Sequence, residues 1–423
     1  MPRQLYYDLT EIHYLARGFT GYYGIAKVVA EGAKEAFRRQ NGCRFVALSK
    51  AHGAFFEVFP RFDPAHEGGV DLNMPDRSGP YFFRSYTKHR PFSTKVLTRT
   101  LGPVVHAMQR ASWRRRKVNA PFIELDGGAF LTCGRPKLIV HALQALRTKN
   151  VEVHALLHDM IPLHAYKKRP GFITSFTHDN RDVIGAADQI IANSQFTAKD
   201  IMHWAGKDMI PKPKSMSVAP LIHELRAGDE TQQIEIPEEP YLFMVGTMLG
   251  RKNLDIVLHA MAEIARSGKA VPRLLLAGRA RKRTEAFLDT PEMAQIKDRV
   301  IQLGSVNQTD LCRLYESATA VVLPSFIEGW GLPAAEALWA GTIPVCTDNE
   351  IMREVCGDAG VYFDPYDPKA LADILARLFS VDGRYRAECL KRVEAFRPKL
   401  RTWGDFGGDL LDAVDQYSGP DAT

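Results

Sequence analysis

PSFIEGWGLPAAEALWAG (324–341) is the stretch on which the reading of this chain turns. Glu328 and Glu336 stand eight positions apart in it, with Gly329, Gly331 and Pro333 between them and a run of small residues following. Proline suits the first helical position, because the N–H it lacks would have no intrahelical acceptor there. A helix is therefore expected to begin at this proline. Its first backbone N–H groups, those of Gly331 and Leu332 among them, point out of the helix start. The helix dipole makes that start an anion site, and the glycines let a phosphate come close. One carboxylate just before the site and another one turn inside the helix can hold sugar hydroxyls on either side of that phosphate. The pattern suits a nucleotide-sugar diphosphate. Ordinary surface acids at a helix start are the competing explanation.

Working outward, AVVLPS (320–325) reads as a strand leading into this run, and TIPVCTD (342–348) as the strand after it. Upstream, YLFMVGT (241–247), RLLLAG (273–278) and RVIQLGSV (299–306) read as further strands. NLDIVLHAMAEIARSG (253–268) and TDLCRLYESA (309–318) have helical spacing. Strands alternating with helices imply parallel βαβ units, and short Val/Ile/Leu runs suit strands covered on both faces. In the first half, RFVALS (44–49), KLIVHAL (137–143), VEVHALLHD (151–159) and QIIANS (189–194) read as strands. Helices are expected over 21–40, 174–188 and 196–206. The fold class is α/β, with two doubly wound parallel-sheet domains. The polar, acidic, proline-bearing TQQIEIPEEP (231–240) reads as a linker. The expected division is 1–235, 236–400 and a C-terminal helix within 401–423.

At 423 residues the chain is long enough for two or three domains, and 45% hydrophobic residues support full-sized cores. The net charge of +6 is mild. Six scattered cysteines with no CxxC pair argue against a zinc site or a disulfide framework, and fit a reducing cytoplasm. MPRQLYYDLTEIHYL shows no signal peptide, and no window reaches the ~18 apolar residues of a spanning helix.

The run E-G-W-G-L-P-A-A-E-A-L-W-A-G resembles the Glu-x7-Glu signature of retaining glycosyltransferases of family 4, which have the GT-B fold with two Rossmann-like domains facing a central cleft. The resemblance is strong over 240–370, moderate over 150–220 and loose over the first 130 residues. It implies that Glu328 lies by the donor sugar and Glu336 binds the ribose. In GTMLGRKNL (246–254) it implies that Lys252 binds the donor phosphates, with Arg251 beside it and Gly246 and Thr247 in the loop. The family's arginine after the first glycine is here Thr247, which shifts more of the load to Arg251. Fixed cations at a strand's carboxyl end stabilise a departing diphosphate without reorganising, although a solvated loop before a helix would also read Arg-Lys-Asn. Ser305 and Val306 in GSV (304–306) would frame the base through backbone groups, and Arg279 after LLLAG could face the nucleotide.

LLHDMIPL (156–163) resembles the H-D-x-x-P-L element of enzymes that build bacterial polysaccharides. This implies that His158 approaches the donor sugar and that Asp159 shapes the acceptor side. RGFTGYYGIAKV (17–28) resembles the family's T-G-I-x-R-V loop in stretched form, with Lys27 in place of the arginine, which makes Gly21 a candidate phosphate neighbour. Asp126-Gly127-Gly128 is a candidate acceptor loop on turn chemistry alone.

From Tyr81 to Val118 there are ten lysines and arginines and no acid, interleaved with aromatic and aliphatic residues and ending in Trp113-Arg114-Arg115-Arg116-Lys117. This suits an anionic membrane surface on the inner face of the cytoplasmic membrane; no nucleic-acid motif accompanies it, and a solvated helix face is the plainer alternative. No DxD pair suited to a metal lies near the glycine turns. The resemblance implies a metal-independent hexosyltransferase with no cofactor beyond the nucleotide sugar. GDP-mannose is the favoured donor and a lipid-linked or lipopolysaccharide or capsule glycan the acceptor. UDP-glucose or UDP-N-acetylglucosamine, and a non-catalytic subunit of a polysaccharide assembly complex, stand as alternatives. GT-B epimerases lack the Glu-x7-Glu run.

Overall fold

The computed structural model describes residues 3–15, 24–39, 42–62, 70–74, 92–135, 138–164, 170–228, 231, 233–247, 249–279, 281–417 and 419. They form two units, one of residues 1–220 with 403–423 and the other of 221–402.

The first unit is built on eight strands: β1 (Leu5–Asp8), β2 (Arg44–Ser49), β3 (Ala54–Val58), β4 (Phe122–Ile123), β5 (Ala129–Thr132), β6 (Glu152–Leu157), β7 (Gln189–Ala192) and β8 (Met216–Val218). Their order is β4-β3-β2-β1-β5-β6-β7-β8. The inner strands are apolar almost throughout, as both-face burial demands; every residue of β5 and β7 is buried. The parallel expectation fails at one edge, where β2–β3 and β3–β4 pair antiparallel. Only the turn Lys50–Gly53 joins β2 to β3, with Gly53 at φ 66°, and a parallel return needs a dozen residues or more.

KLIVHAL, expected as a strand, instead runs into the helix Val140–Arg147. Ile139, Leu143 and Leu146 fall three or four apart and are all buried, so one helical face covers the core where a strand would expose alternate residues.

The helix Trp403–Asp415 lies in this unit against the helix Ile25–Arg38. Arg39 bonds Asp412 at 2.7 Å and the Gly408 carbonyl at 3.2 Å, and Trp403 is buried beneath Lys27. A Cβ on Gly407 would sit 2.5 Å from Glu35 Cβ, so glycine permits the close approach.

The second unit is wholly parallel: β9 (Tyr241–Val245), β10 (Arg273–Ala277), β11 (Val300–Gly304), β12 (Ala320–Leu323), β13 (Ile343–Thr347) and β14 (Val361–Phe363), ordered β11-β10-β9-β12-β13-β14. The chain steps outward from β9 to β11, then returns to the other side of β9 as β12. The carboxyl ends of β9 and β12 therefore flank the topological switch point, where open α/β sheets bind ligands. In the first unit the same point falls between β1 and β5.

The expected boundary at 235/236 moves to 220/221, because 221–240 is integrated into the second unit and is no free linker. His223 Nε2 donates to the Val355 carbonyl at 3.0 Å, and the His223 and Glu224 N–H groups reach the Arg401 carbonyl. Gln233 N donates to the buried Asp310 carboxylate at 2.8 Å, and Arg313 donates to the Ile234 carbonyl at 3.0 Å. Polarity here reflects backbone groups satisfied by the neighbouring helix Gln308–Ser317.

Candidate functional site

The loop after β9 turns at Gly246 (φ 114°) and Gly250 (φ 82°) and presents Arg251 and Lys252. The loop after β12 presents Glu328. Phe326 N donates to the Arg251 carbonyl at 3.2 Å, which ties the two loops together across the switch point. Lys252 Nζ lies 2.6 Å from Glu328 Oε1, and Arg251 Nη1 lies 3.5 Å from Glu328 Oε2 and 3.3 Å from the Ile327 carbonyl. Burial alone would push the Glu328 carboxyl up. The attraction of Lys252 and Arg251, with the hydrogen bond from Lys252, outweighs it and holds the group below its ordinary value. Arg251, Lys252 and Glu328 thus form one cluster, 77 residues apart in sequence at most.

Gly331 takes the N-cap position of the helix Leu332–Trp339 at φ 94°, ψ 51°, with Pro333 in the first turn, as the run leads one to expect. Trp330 Nε1 donates to the Ile222 carbonyl at 2.8 Å and fixes the approach to this helix. One turn inside, Glu336 is buried, and the Tyr315 hydroxyl donates to its Oε2 at 2.8 Å. Tyr315 is a partner of Glu336 that the sequence does not announce. It comes from another helix, and its position in TDLCRLYESA reads as core.

Other expected donor contacts take different places. Thr247 is buried, its hydroxyl donates to the Arg279 carbonyl at 2.6 Å, and its own carbonyl accepts from Thr284 at 2.7 Å. It locks the β9 and β10 loops together, because a small β-branched side chain fits against Gly278. Arg279 is exposed, after Gly278 at φ 130°. Ser305 is exposed beyond β11, two strands from β9, while the Val306 side chain belongs to the core with Tyr241, Phe243 and Ala337.

In the first unit, His158 and Asp159 follow β6. His158 Nε2 is 2.7 Å from the Cys133 carbonyl, which can only accept, so this nitrogen carries the proton. Burial lowers the His158 pKa, against the opposing pull of the Cys133 carbonyl and Glu11, so the ring is neutral and Nδ1 is an acceptor. Asp159 Oδ1 caps Ile161 N at 3.0 Å, opening the short turn Ile161–Leu163. Asp126 is a correction. It precedes β5 and lies at the sheet's amino edge, opposite Cys133 and His158, where Gly127 N meets the Lys149 carbonyl. Turn chemistry marks a loop but not the edge that carries it. Gly21 lies outside the described residues.

The switch point of this unit holds groups that sequence alone did not single out. Asp8, ending β1, is fully buried; burial raises its pKa to about 6, against hydrogen bonds from Thr10 and Thr132. Glu11, buried, grips Arg135 through Nε at 2.8 Å and Nη2 at 2.6 Å.

The basic segment is a helix over Phe92–Arg115, and residues 81–91 lie outside the described ones. Gln109, Ser112 and Trp113 face inward, Trp113 edge-on to Phe56 at 5.2 Å. Val96, Leu101, Val104, Met108, Arg114 and Arg115 face solvent. Among the described residues no helix is long and apolar enough to cross a membrane.

Residues 228–394 match the family described as glycosyl transferases group 1. The O-antigen chain mannosyltransferase B of Escherichia coli is 33% identical over 141 residues, 33% of this chain and 37% of that protein. A D-inositol 3-phosphate glycosyltransferase of Xylanimonas cellulosilytica is 27% identical over 248 residues, 55% of this chain and 58% of that protein. The chain thus spans less than two thirds of the curated relatives it matches. Among solved structures, the sucrose-phosphate synthase of Thermosynechococcus elongatus aligns over 98% of both chains with a TM-score of 0.64 and 16% identity. Anabaena HepE in complex with UDP aligns over 98% of this chain and 100% of its own with a TM-score of 0.58 and 13% identity. The fold is GT-B, and the sequence resembles group 1 glycosyltransferases that include bacterial mannosyltransferases.

Proposed function

We propose that the protein is a retaining glycosyltransferase that moves a hexose, mannose from GDP-mannose, onto a lipid-linked, lipopolysaccharide or capsule glycan. The observation that carries this is the Lys252–Glu328–Arg251 cluster at the switch point between β9 and β12, beside the start of the helix Leu332–Trp339. The mannosyl donor is supported by the likeness to the O-antigen mannosyltransferase over 141 residues.

In this mechanism Lys252, Arg251 and the helix start neutralise the diphosphate as its bond to the sugar breaks, and no metal ion is needed for that charge. Glu336, braced by Tyr315, takes the ribose hydroxyls. Glu328 orients the sugar or stabilises positive charge on it and is not a covalent nucleophile. The leaving phosphate accepts the acceptor hydroxyl's proton on the same face, which preserves the anomeric configuration. Within the first unit, His158, its Nε2 held by the Cys133 carbonyl, offers Nδ1 as an acceptor for a glycan hydroxyl.

Thermal unfolding across GDP, UDP, ADP and their sugars tests the donor. A nucleotide at 100 times its Kd stabilises by about 2.7 kcal/mol. GDP and GDP-mannose are expected to raise Tm above the others. A UDP-specific rise would replace the donor by UDP-glucose or UDP-N-acetylglucosamine, and no rise with any nucleotide would overturn the transferase assignment.

The outward face of the helix Phe92–Arg115 is proposed to rest on an anionic membrane surface, with Leu101, Val104 and Met108 entering the interface and Arg114 and Arg115 meeting headgroups. Each basic group adds roughly 1 kcal/mol near such a surface. The protein should sediment with phosphatidylglycerol-containing vesicles and lose much of that binding in Arg114→Ala/Arg115→Ala. Equal sedimentation with purely zwitterionic vesicles would sink the proposal.

A further inference from the structure

Tyr366 is 75% exposed, unusual for so large an aromatic ring. It stacks on Phe326 with centroids 5.2 Å apart and planes 35° apart. Phe326 stands two residues before Glu328, on the loop bonded to the Arg251 carbonyl. The loop of Tyr366 is held from the other side as well: Asn253 Nδ2, next to Lys252, donates to the Pro365 carbonyl at 3.0 Å. Asn253 adopts φ 51°, ψ 33°, a left-handed conformation that costs a non-glycine residue energy and is kept where the surroundings over-determine it. Tyr366 N is fixed in turn by Asp364 Oδ1 at 2.8 Å. An exposed ring is thus pinned to both loops that carry the cation–carboxylate cluster.

Resting on the glycosyltransferase reading, we propose that Phe326 and Tyr366 form an aromatic platform that stacks on a pyranose ring of the acceptor glycan. The axial C–H groups of a pyranose present a weakly positive apolar face, and an aromatic ring presents a negative one. Phe326 precedes Glu328 by two residues, at most roughly 7 Å of chain, and Tyr366 lies against its ring. A pyranose on this platform would therefore sit beside the place where Glu328 meets the donor sugar, and that neighbouring place assigns the platform to the acceptor. Both rings have few rotatable bonds, and their mutual stacking holds them ready at little entropic cost.

Saturation-transfer NMR with α-1,3-mannobiose, maltose and N,N′-diacetylchitobiose tests this on the full chain. At least one disaccharide should bind through its ring C–H protons. Tyr366→Ala should weaken that binding by about two- to tenfold, and Tyr366→Phe should preserve it, since the ring face and not the hydroxyl makes the contact. Both variants should keep the wild-type Tm and its nucleotide-induced rise, which separates this site from the donor site. Unchanged binding in Tyr366→Ala, equal loss in Tyr366→Phe, or no disaccharide binding to a wild-type protein that nucleotides do stabilise would each overturn the platform. Tyr366-dependent binding in a protein that no nucleotide stabilises would support the platform and overturn the transferase reading.

Discussion

Lys252→Ala is expected to lower the rate of sugar transfer by about 10²–10³-fold, the usual cost of removing one preorganised group aimed at developing charge. Lys252 Nζ is the group nearest Glu328, at 2.6 Å, and it sits on a loop whose backbone is tied to the β12 loop. Its charge is therefore in place before any diphosphate arrives. Arg251, at 3.5 Å, cannot move into its position without giving up the Ile327 carbonyl. Lys252→Arg should recover only part of the loss, because a planar fork does not reproduce a compact point charge. The same substitution has a pH signature. In the folded protein the Glu328 carboxyl lies below its ordinary value, so its contribution to stability is full above the unfolded pKa and is lost as pH falls through the folded one. Removing Lys252 raises the folded value. Wild type should therefore exceed Lys252→Ala in stability most at neutral pH, and the gap should close in acid. Steady-state transfer and unfolding measured across pH check both parts; a rate within about threefold of wild type would remove Lys252 from the phosphate role.

The second unit was legible for a physical reason. The strands at its switch point, β9 and β12, are covered on both faces, so they appear as the unbroken apolar runs YLFMV and AVVL, and the loops that follow carry glycines near a cation or carboxylate. Glu328, Lys252 and Arg251 could be matched because backbone geometry dictates their neighbours, the glycines and Pro333. The misreadings have a common origin in information that only tertiary packing holds. KLIVHAL carries enough apolar residues for a strand, and only the spacing of its buried positions makes it a helix. The segment 231–240 looks like a linker because its partners, Asp310 and Arg313, lie 77 and 79 residues downstream of Gln233 and Ile234. Glu11 and Arg135, 124 residues apart, meet only because β1 and β5 are neighbours, and nothing local marks either residue. Tyr315 is hidden in the same way, as a tyrosine at an ordinary helical core position whose hydroxyl alone reaches Glu336.

Gly331→Ala should destabilise the second unit by about 2–5 kcal/mol, from two separable causes. At φ 94° an alanine is held in a region that L residues avoid, which costs roughly 1–2 kcal/mol. Its methyl would also overlap the Met352 Cε methyl and press on Leu323 Cδ2 at 3.1 Å, in a core where overpacking costs typically about 1–3 kcal/mol. Met352 can retreat by changing rotamer, but Leu323 ends β12 and has the sheet behind it. The helix start must then shift, and with it the N–H groups of Gly331 and Leu332 that the proposed function assigns to the diphosphate. Nucleotide-induced stabilisation should fall together with Tm, which should drop by roughly 5–15 °C. Gly341 supplies the control. It also has a positive φ, 77°, but a Cβ there meets only Arg397 Nη2 at 3.7 Å, so Gly341→Ala carries the backbone strain without the crowding and lies away from the helix start. Gly331→Ala should therefore lose more stability than Gly341→Ala, and it alone should lose the nucleotide response. Equal losses in the two variants, with the nucleotide response intact in both, would mean that the packing around Gly331 neither strains the helix start nor serves the anion.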